Sequence, residues 1–215
     1  MVQLSESQAR KTQVFEGDIS DQLLSILELV PFVAVDTETS GLDWSIDELH
    51  LCQLYAPGVG AVLVRPGGRV PKNLKSLLEN PTVGKVFHYA PFDLRFLASK
   101  WNIQTSNVRC TKTANKLLAP SAPAKEHSLG PLVKRIMGIS LDKGAVRTSD
   151  WGASELSEDQ IDYAARDVIY LLELHHHLES DLDKIGLRKL YDRVCDYLPV
   201  GVYLEVNHYP NPLQY

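Results

Sequence analysis

The feature that most constrains the fold is an unbroken apolar run, FVAV at 32–35, which ends directly in Asp36. A strand with one face in water alternates apolar and polar residues, whereas an unbroken run indicates a strand buried on both faces. Such a strand lies inside a sheet that helices cover on both sides. The run therefore predicts an α/β fold whose central strand ends in acidic side chains.

The remaining pattern places most strands before most helices. Further strands are predicted at 12–16, 49–55, 61–65, 84–89 and 107–110. Helices are predicted at 21–29, 71–79, 91–101, 111–118, 128–137, 157–177 and 187–198, with a polar loop over 141–152. This order predicts a mixed sheet flanked by helices. We expect one domain over 1–185, and a C-terminal helix and tail over 186–215 that pack on it or on a neighbouring subunit.

Composition excludes several classes of protein. The 215 residues are 44% hydrophobic and 23% charged, which is typical of globular proteins and unlike disordered chains. No apolar run approaches the length of a membrane-spanning helix, and the first 13 residues lack the apolar segment of a secretion signal. The three cysteines are far apart, which argues against a disulfide scaffold or a zinc ribbon and suits a reducing cytoplasm. The net charge of −5 excludes a globally basic surface, although an acidic site can reach phosphate through bound cations.

Two carboxylates end the central strand. Asp36 and Glu38 are two residues apart, so their side chains point to the same face of the sheet. Neighbouring carboxylates repel each other and are stable together when a cation lies between them. Taken alone, the segment 36–41 is equally well interpreted as a polar turn.

Two further acidic residues lie on predicted helices. Asp93 falls in the first turn of its helix, where an isolated Asp usually complements the helix dipole. Tyr163 and Asp167 are four residues apart and share one helix face, with small alanines between them. Taken alone, this second pattern is interpreted as a surface Tyr–Asp pair.

In combination, these positions supply four carboxylates and a phenol. Oxygen ligands select hard cations such as Mg²⁺ or Mn²⁺ rather than zinc. Four carboxylates can hold two such ions about 3.5–4 Å apart, an arrangement that suits in-line displacement at phosphorus. The combination therefore predicts metal-dependent cleavage of a phosphodiester.

The segments DTETSG (36–41), HYAPFD (88–93) and YAARD (163–167) resemble the three motifs of the DEDD 3′-to-5′ exonuclease superfamily. A tyrosine four residues before the last Asp is typical of its DEDDy branch, and Asp162 stands where the sister branch has His. The stretches at 110–118, 127–143 and 149–168 resemble ribonuclease D. The resemblance implies a ribonuclease H-like fold and two Mg²⁺ or Mn²⁺ ions held by Asp36, Glu38, Asp93 and Asp167. It also implies that Tyr163 orients the attacking water.

Two departures from ribonuclease D bear on the substrate. The chain is expected to lack the helical C-terminal domains with which ribonuclease D binds tRNA, and its segment CDYLPVGVYLEVN (195–207) resembles the compact nano-RNase C group. That resemblance implies a ring-like homo-oligomer that degrades short single-stranded RNA, including dinucleotides, to nucleoside 5′-monophosphates. The middle motif has His88-Tyr89 where ribonuclease D more often has His-Asn, so the fit of the substrate at this edge stays open.

Substrate contacts are expected beside these motifs. By resemblance, Thr39, Gly41 and Leu42 contact the terminal nucleotide, with Leu42 against its base; a turn glycine and a core leucine are the alternatives. His88 can touch sugar or phosphate, or be a buried histidine at a strand end. Three basic residues can pair with phosphates or remain solvated surface charges: Lys112, Lys143 and Arg147. Trp151 is interpreted as the anchor of its loop, with stacking on a base as the alternative, and residues 175–177 (HHH) are interpreted as largely surface positions.

Three other functions stay open at this stage. The substrate can be DNA, because the contacts to a 2′-hydroxyl that identify RNA are not visible in a sequence. The segment 36–39 superficially resembles the loop of an aspartyl-phosphate phosphatase, which needs a second Asp where this chain has Glu38. A non-catalytic nucleic-acid-binding module is disfavoured, because every expected ligand position holds an ionisable residue.

Overall fold

The computed structural model describes residues 12–141 and 149–213, in which a six-stranded sheet is covered by helices on both faces. The strands are β1 (Gln13–Glu16), β2 (Phe32–Thr39), β3 (Leu49–Ala56), β4 (Gly60–Arg65), β5 (Gly84–Phe87) and β6 (Val108–Cys110). Their order across the sheet is β1-β4-β3-β2-β5-β6. The β2–β3 and β3–β4 pairs are antiparallel and the other three pairs are parallel. The predicted mixed sheet flanked by helices is confirmed.

The helices divide between the two faces. They are α1 (Asp21–Leu27), α2 (Lys72–Glu79), α3 (Pro91–Trp101), α4 (Thr111–Leu118), a 3₁₀ turn (Ala124–His127), α5 (Leu129–Met137), α6 (Glu158–Ile169), α7 (Leu171–Lys184) and α8 (Arg188–Val206). Helices α1 to α3 bury one apolar core against the sheet, and α4 to α7 bury a second core against the opposite face. Within the described ranges, no helix combines the length and the apolar character needed to cross a membrane.

Helix α8 closes one edge of the sheet. It packs against α3, α4 and β6, with Tyr191 buried on one side of the sheet and Val202 on the other. The backbone N–H of Cys110 in β6 donates a hydrogen bond to the Tyr191 hydroxyl at 3.0 Å. Edge strand β6 is therefore covered rather than open to pairing.

Three local features differ from the sequence prediction. The predicted helix over 157–177 is two helices, because Tyr170 separates α6 from α7. The last helix does not end before Pro199 but continues to Val206. Burial of Val202 offsets the cost of the backbone hydrogen bond that proline cannot donate. The prediction of a surface position is wrong for His175, which is only 3% exposed because α7 packs its ring against Phe32 of β2.

Candidate active site

Strand β2 directs the first acidic pair to one face. Asp36 and Glu38 point to the same side as the buried Ala34, towards the core formed by α6 and α7. Thr37 points to the opposite side, where α3 packs. A slip of one residue in the pairing of β2 would move both carboxylates into the first apolar core, so burial of the preceding valines fixes their orientation.

Helix α6 supplies the facing residues. It begins at a capping box in which Ser157 Oγ accepts from the Gln160 N–H at 3.2 Å and the Gln160 side chain accepts from the Ser157 N–H at 2.9 Å. Ala164 and Ala165 are buried beside the sheet, and their small side chains allow the helix to approach it closely. Tyr163 is also buried, and it lies on the same face of the helix as Asp167.

Three carboxylates meet between β2 and α6. One oxygen each from Asp36, Glu38 and Asp167 lies within 4.8 Å of the other two. Ligand oxygens about 2.1 Å from an octahedral Mg²⁺ ion lie about 3–4.2 Å apart, so small side-chain rotations would bring this group onto one ion. The donor set is all oxygen and acidic, which fits Mg²⁺ or Mn²⁺.

The phenol of Tyr163 belongs to the same group. Burial raises its pKa, and the negative charges of Asp167 and Glu38 raise the pKa further, together with a hydrogen bond to Asp167. In the absence of cations the phenol stays protonated at neutral pH. It can therefore donate a hydrogen bond within this group.

Asp93 stands apart from the three carboxylates. It lies in the first turn of α3, only 2% exposed, and its Oδ1 accepts a hydrogen bond from Thr37 Oγ1 at 2.7 Å. Burial raises the pKa of Asp93 to about 7, although hydrogen bonds from Thr37 and from backbone N–H groups act in the opposite direction. The structure thus brings three of the four predicted ligands together. The fourth, Asp93, is hydrogen-bonded to Thr37, which lies on the opposite face of β2.

The loop after β2 presents the predicted nucleotide contacts. Thr39 Oγ1 donates to the Gly41 carbonyl at 2.6 Å. A Cβ atom at Gly41 would lie 2.3 Å from Asp47 Oδ2, so a larger residue here would displace the Asp47 side chain. Leu42 is 85% exposed, which excludes the alternative of a core leucine and leaves an apolar side chain available for a base.

The segment after β5 holds two more predicted contacts. His88 Nδ1 lies 2.9 Å from Thr111 Oγ1 at the start of α4. Lys112 Nζ lies 4.2 Å from the centroid of the Tyr89 ring, a cation–π contact. Tyr89 itself has a φ of 72°, in the left-handed region that bulky side chains rarely adopt. Lys143 and Arg147, the other two predicted phosphate contacts, lie outside the described residues.

A cavity with both basic and acidic side chains in its lining opens near the same end of β2. Trp151 is 3% exposed and its ring centroid lies 5.9 Å from that of Tyr163, in agreement with a loop anchor. The cavity beside it has a volume of about 360 Å³. Its lining includes His50, Arg65, Arg69 and Lys100.

The sequence analysis missed two residues that contact the acidic groups. One is Thr37, the partner of Asp93. The other is Gln53 of β3, whose Nε2 donates to Glu38 Oε1 at 3.2 Å. Its signal in the sequence is an amide at the centre of the otherwise largely apolar strand LHLCQLYA.

Comparison with known proteins agrees with this geometry. Residues 13–183 match the family described as 3′-5′ exonuclease. DNA polymerase I of Aquifex aeolicus is 35% identical over 163 residues, which are 76% of this chain and 26% of that protein. Ribonuclease D of Haemophilus influenzae is 33% identical over 153 residues, 71% of this chain and 37% of that protein. The chain thus spans well under half the length of these two relatives.

Solved structures extend the similarity over nearly the whole chain. NrnC of Brucella melitensis with bound Mg²⁺ superimposes with a TM-score of 0.84 at 29% identity, covering 95% of this chain and 99% of that one. The same protein bound to pGG gives a TM-score of 0.84 at 29% identity, covering 95% and 98%. Both the ribonuclease H-like exonuclease fold and the expected similarity to ribonuclease D and to the nano-RNase C group are confirmed. The chain belongs to the 3′-5′ exonuclease family.

Proposed function

We propose that this chain is a metal-dependent exoribonuclease that removes nucleoside 5′-monophosphates from the 3′ end of short single-stranded RNA. The observation that carries the proposal is the meeting of Asp36, Glu38 and Asp167 within 4.8 Å of one another. Support also comes from the family match and from ribonuclease D among the relatives. The aspartyl-phosphate alternative has no comparable support.

The proposed cofactor is a pair of Mg²⁺ or Mn²⁺ ions. Asp36, Glu38 and Asp167 would hold one ion directly, and Asp93 is the fourth proposed ligand of the pair. When bound, such ions lower the pKa of a water molecule and stabilise charge on the leaving 3′-oxygen. The NrnC structure with bound Mg²⁺ supports the choice of metal.

Tyr163 is proposed to orient the attacking water. Because the ordinary pKa of a phenol is about 10, Tyr163 is a poor base at pH 7, and it is proposed to position the water through a hydrogen bond. The carboxylates and the phenol therefore have different tasks, and their removal should have different consequences.

The proposed substrate is a short RNA, with dinucleotides included. The structure of NrnC bound to pGG supports this length class. Thr39, Gly41 and Leu42 would contact the terminal nucleotide, with the exposed Leu42 against its base. His88 and the basic residues Lys112, Lys143 and Arg147 would contact sugar and phosphate.

A DNA substrate is the second candidate. The similarity to DNA polymerase I of Aquifex aeolicus, at 35% identity, favours it. Chemistry at the phosphodiester would be unchanged, and only the contacts to the sugar would differ.

We further propose three properties of the whole protein. Residues 1–185 would form the exonuclease domain, with 186–215 as a C-terminal element. The chain would assemble into a homo-oligomer, for which α8 offers exposed apolar side chains such as Tyr197 and Val200. The three cysteines are free and buried, which suits a cytoplasmic location.

The test is degradation of a labelled RNA dinucleotide, a labelled RNA 20-mer and their DNA counterparts with Mg²⁺, Mn²⁺ or EDTA. We expect metal-dependent release of 5′-monophosphates from RNA, faster for the dinucleotide. Equal rates on both RNA lengths would remove the dinucleotide specialisation, and faster cleavage of DNA would favour the second candidate. Binding of RNA without cleavage in either metal would contradict the proposed activity.

A further inference from the structure

Gln53 is a fully buried amide beside the proposed metal ligands. It lies at the centre of β3, where it pairs with Asp36 across the strands and faces Leu63 of β4. Paired residues on adjacent strands point to the same face, so the amide lies on the side of Asp36 and Glu38. Its Nε2 donates to Glu38 Oε1 at 3.2 Å.

The chemistry of the two groups fixes the orientation of this amide. An ionised carboxylate only accepts hydrogen bonds, so the NH₂ group of Gln53 must face Glu38. Its Oε1 then turns away from Glu38, and this buried atom accepts no hydrogen bond within 12–141 and 149–213. A buried acceptor without a donor is destabilising, and an apolar residue in this strand would avoid that cost.

We propose that Gln53 is a positioning residue of the metal site. Its Nε2 holds the carboxylate of Glu38 in the orientation that meets Asp36 and Asp167. Its Oε1 accepts a hydrogen bond from a water molecule that enters the site together with the cations. The proposal rests on the metal-dependent function above and adds to it a residue that acts through Glu38.

The test replaces Gln53 with Met, which keeps the length of the side chain and removes both the donor and the acceptor. Binding of Mn²⁺ to the protein without RNA is measured by electron paramagnetic resonance, and urea unfolding is measured without metal. Gln13→Met is the matched control, because Gln13 lies half-buried on edge strand β1 of the same sheet and donates to the Val59 carbonyl at 3.4 Å. Gln53→Asn is the second variant, whose amide is one methylene too short to reach Glu38.

We expect Gln53→Met and Gln53→Asn to weaken Mn²⁺ binding by about 10- to 100-fold, the usual effect of losing a partner of a metal ligand. The Gln13→Met protein should bind Mn²⁺ as the unaltered chain does. Metal-free Gln53→Met should be at least as stable as the unaltered chain, because the unpaired acceptor is gone.

Unchanged Mn²⁺ binding in both Gln53 variants would overturn the inference, even if the unaltered chain cleaves RNA. Loss of metal-free stability with unchanged Mn²⁺ binding would overturn it as well, since it would mark a role in folding only. If the unaltered chain neither binds Mn²⁺ nor cleaves RNA, the proposed function fails and this inference fails with it.

Discussion

Two polar clusters lie at opposite ends of the central strand β2, and they differ in the charges of the side chains that meet. At the end of β2, Asp36 and Glu38 meet Asp167, so acidic groups face one another. Near the start of β2, Glu179 of α7 meets cationic partners: its Oε1 lies 3.2 Å from His175 Nε2 and 2.6 Å from Arg188 Nη2. The three carboxylates at the end of β2 would be stabilised by a bound cation. Glu179 already has a cationic partner in the chain, Arg188.

The pKa of Glu179 reflects this difference. Burial acts to raise it, but the close contact with His175 and the positive charge of Arg188 outweigh burial, so the pKa is lowered. The cluster at the start of β2 therefore stabilises the fold. The cluster at the end of β2 is proposed to serve binding and chemistry, and the two clusters should respond differently to loss of a carboxylate.

The largest effect is expected from Asp167→Asn. This change removes a proposed metal ligand, so kcat/KM on an RNA dinucleotide with Mg²⁺ should fall by more than the roughly 100-fold that loss of an outer partner can cause. Without metal, the same variant should melt at a higher temperature than the unaltered chain, because one of three facing negative charges is gone. Retained activity, or a lower melting temperature without metal, would contradict the contrast between the clusters.

Tyr163→Phe should have a smaller effect on the same reaction. Because the phenol only orients water, we expect kcat to fall about 10- to 100-fold with activity still measurable. Metal binding should not change. A loss as complete as that of Asp167→Asn would show that the phenol and the carboxylates do not have separate tasks.

Glu179→Gln should leave activity in place and weaken the fold. We expect the free energy of unfolding, measured with urea at pH 7, to fall by about 1–2 kcal/mol. This is less than the loss of a fully buried ion pair would cost, because Arg188 is partly exposed. The lowered pKa gives the sign with pH: the stabilisation is present above the ordinary value of 4.5 and is lost as the pH falls through the folded-state value. The variant should therefore lose less stability on acidification than the unaltered chain, and an equal loss would count against this assignment.

The smallest effect concerns strain beside the proposed substrate site. Tyr89 has a φ of 72°, whereas the other described non-glycine residues with positive φ are Asn102, Asn107 and His208. Asparagine adopts this region more readily, so Tyr89→Asn should raise the free energy of unfolding by up to about 1 kcal/mol. His208→Asn is the control for a left-handed residue elsewhere, and a destabilised Tyr89→Asn protein would refute the assignment of strain.

The parts of the site that follow from local geometry could be predicted from the sequence. Strand alternation places Asp36 and Glu38 on one face, and helical spacing places Tyr163 with Asp167. The family motifs predicted which of these elements belong together, and the mixed sheet followed from the order of strands and helices. The catalytic and binding roles of these residues stay predictions.

The remaining features depend on packing between distant segments. Nothing near Asp93 in the chain indicates that it binds Thr37, and the amide of Gln53 is visible only as an anomaly in an apolar strand. Helix α8 continues through Pro199 because Val202 is buried, which a local rule on proline cannot anticipate. His175 is buried for the same kind of reason, since its environment is set by Phe32 of β2.

The central claim is that Asp36, Glu38 and Asp167 together hold a divalent cation. The most direct measurement is an anomalous difference map from a crystal soaked in MnCl₂, recorded for the unaltered chain and for Asp167→Asn. We expect a strong peak within coordination distance, about 2.0–2.3 Å, of all three carboxylates, and a weaker or absent peak in the variant. A map without a peak among these three side chains, with the protein otherwise intact, would contradict it.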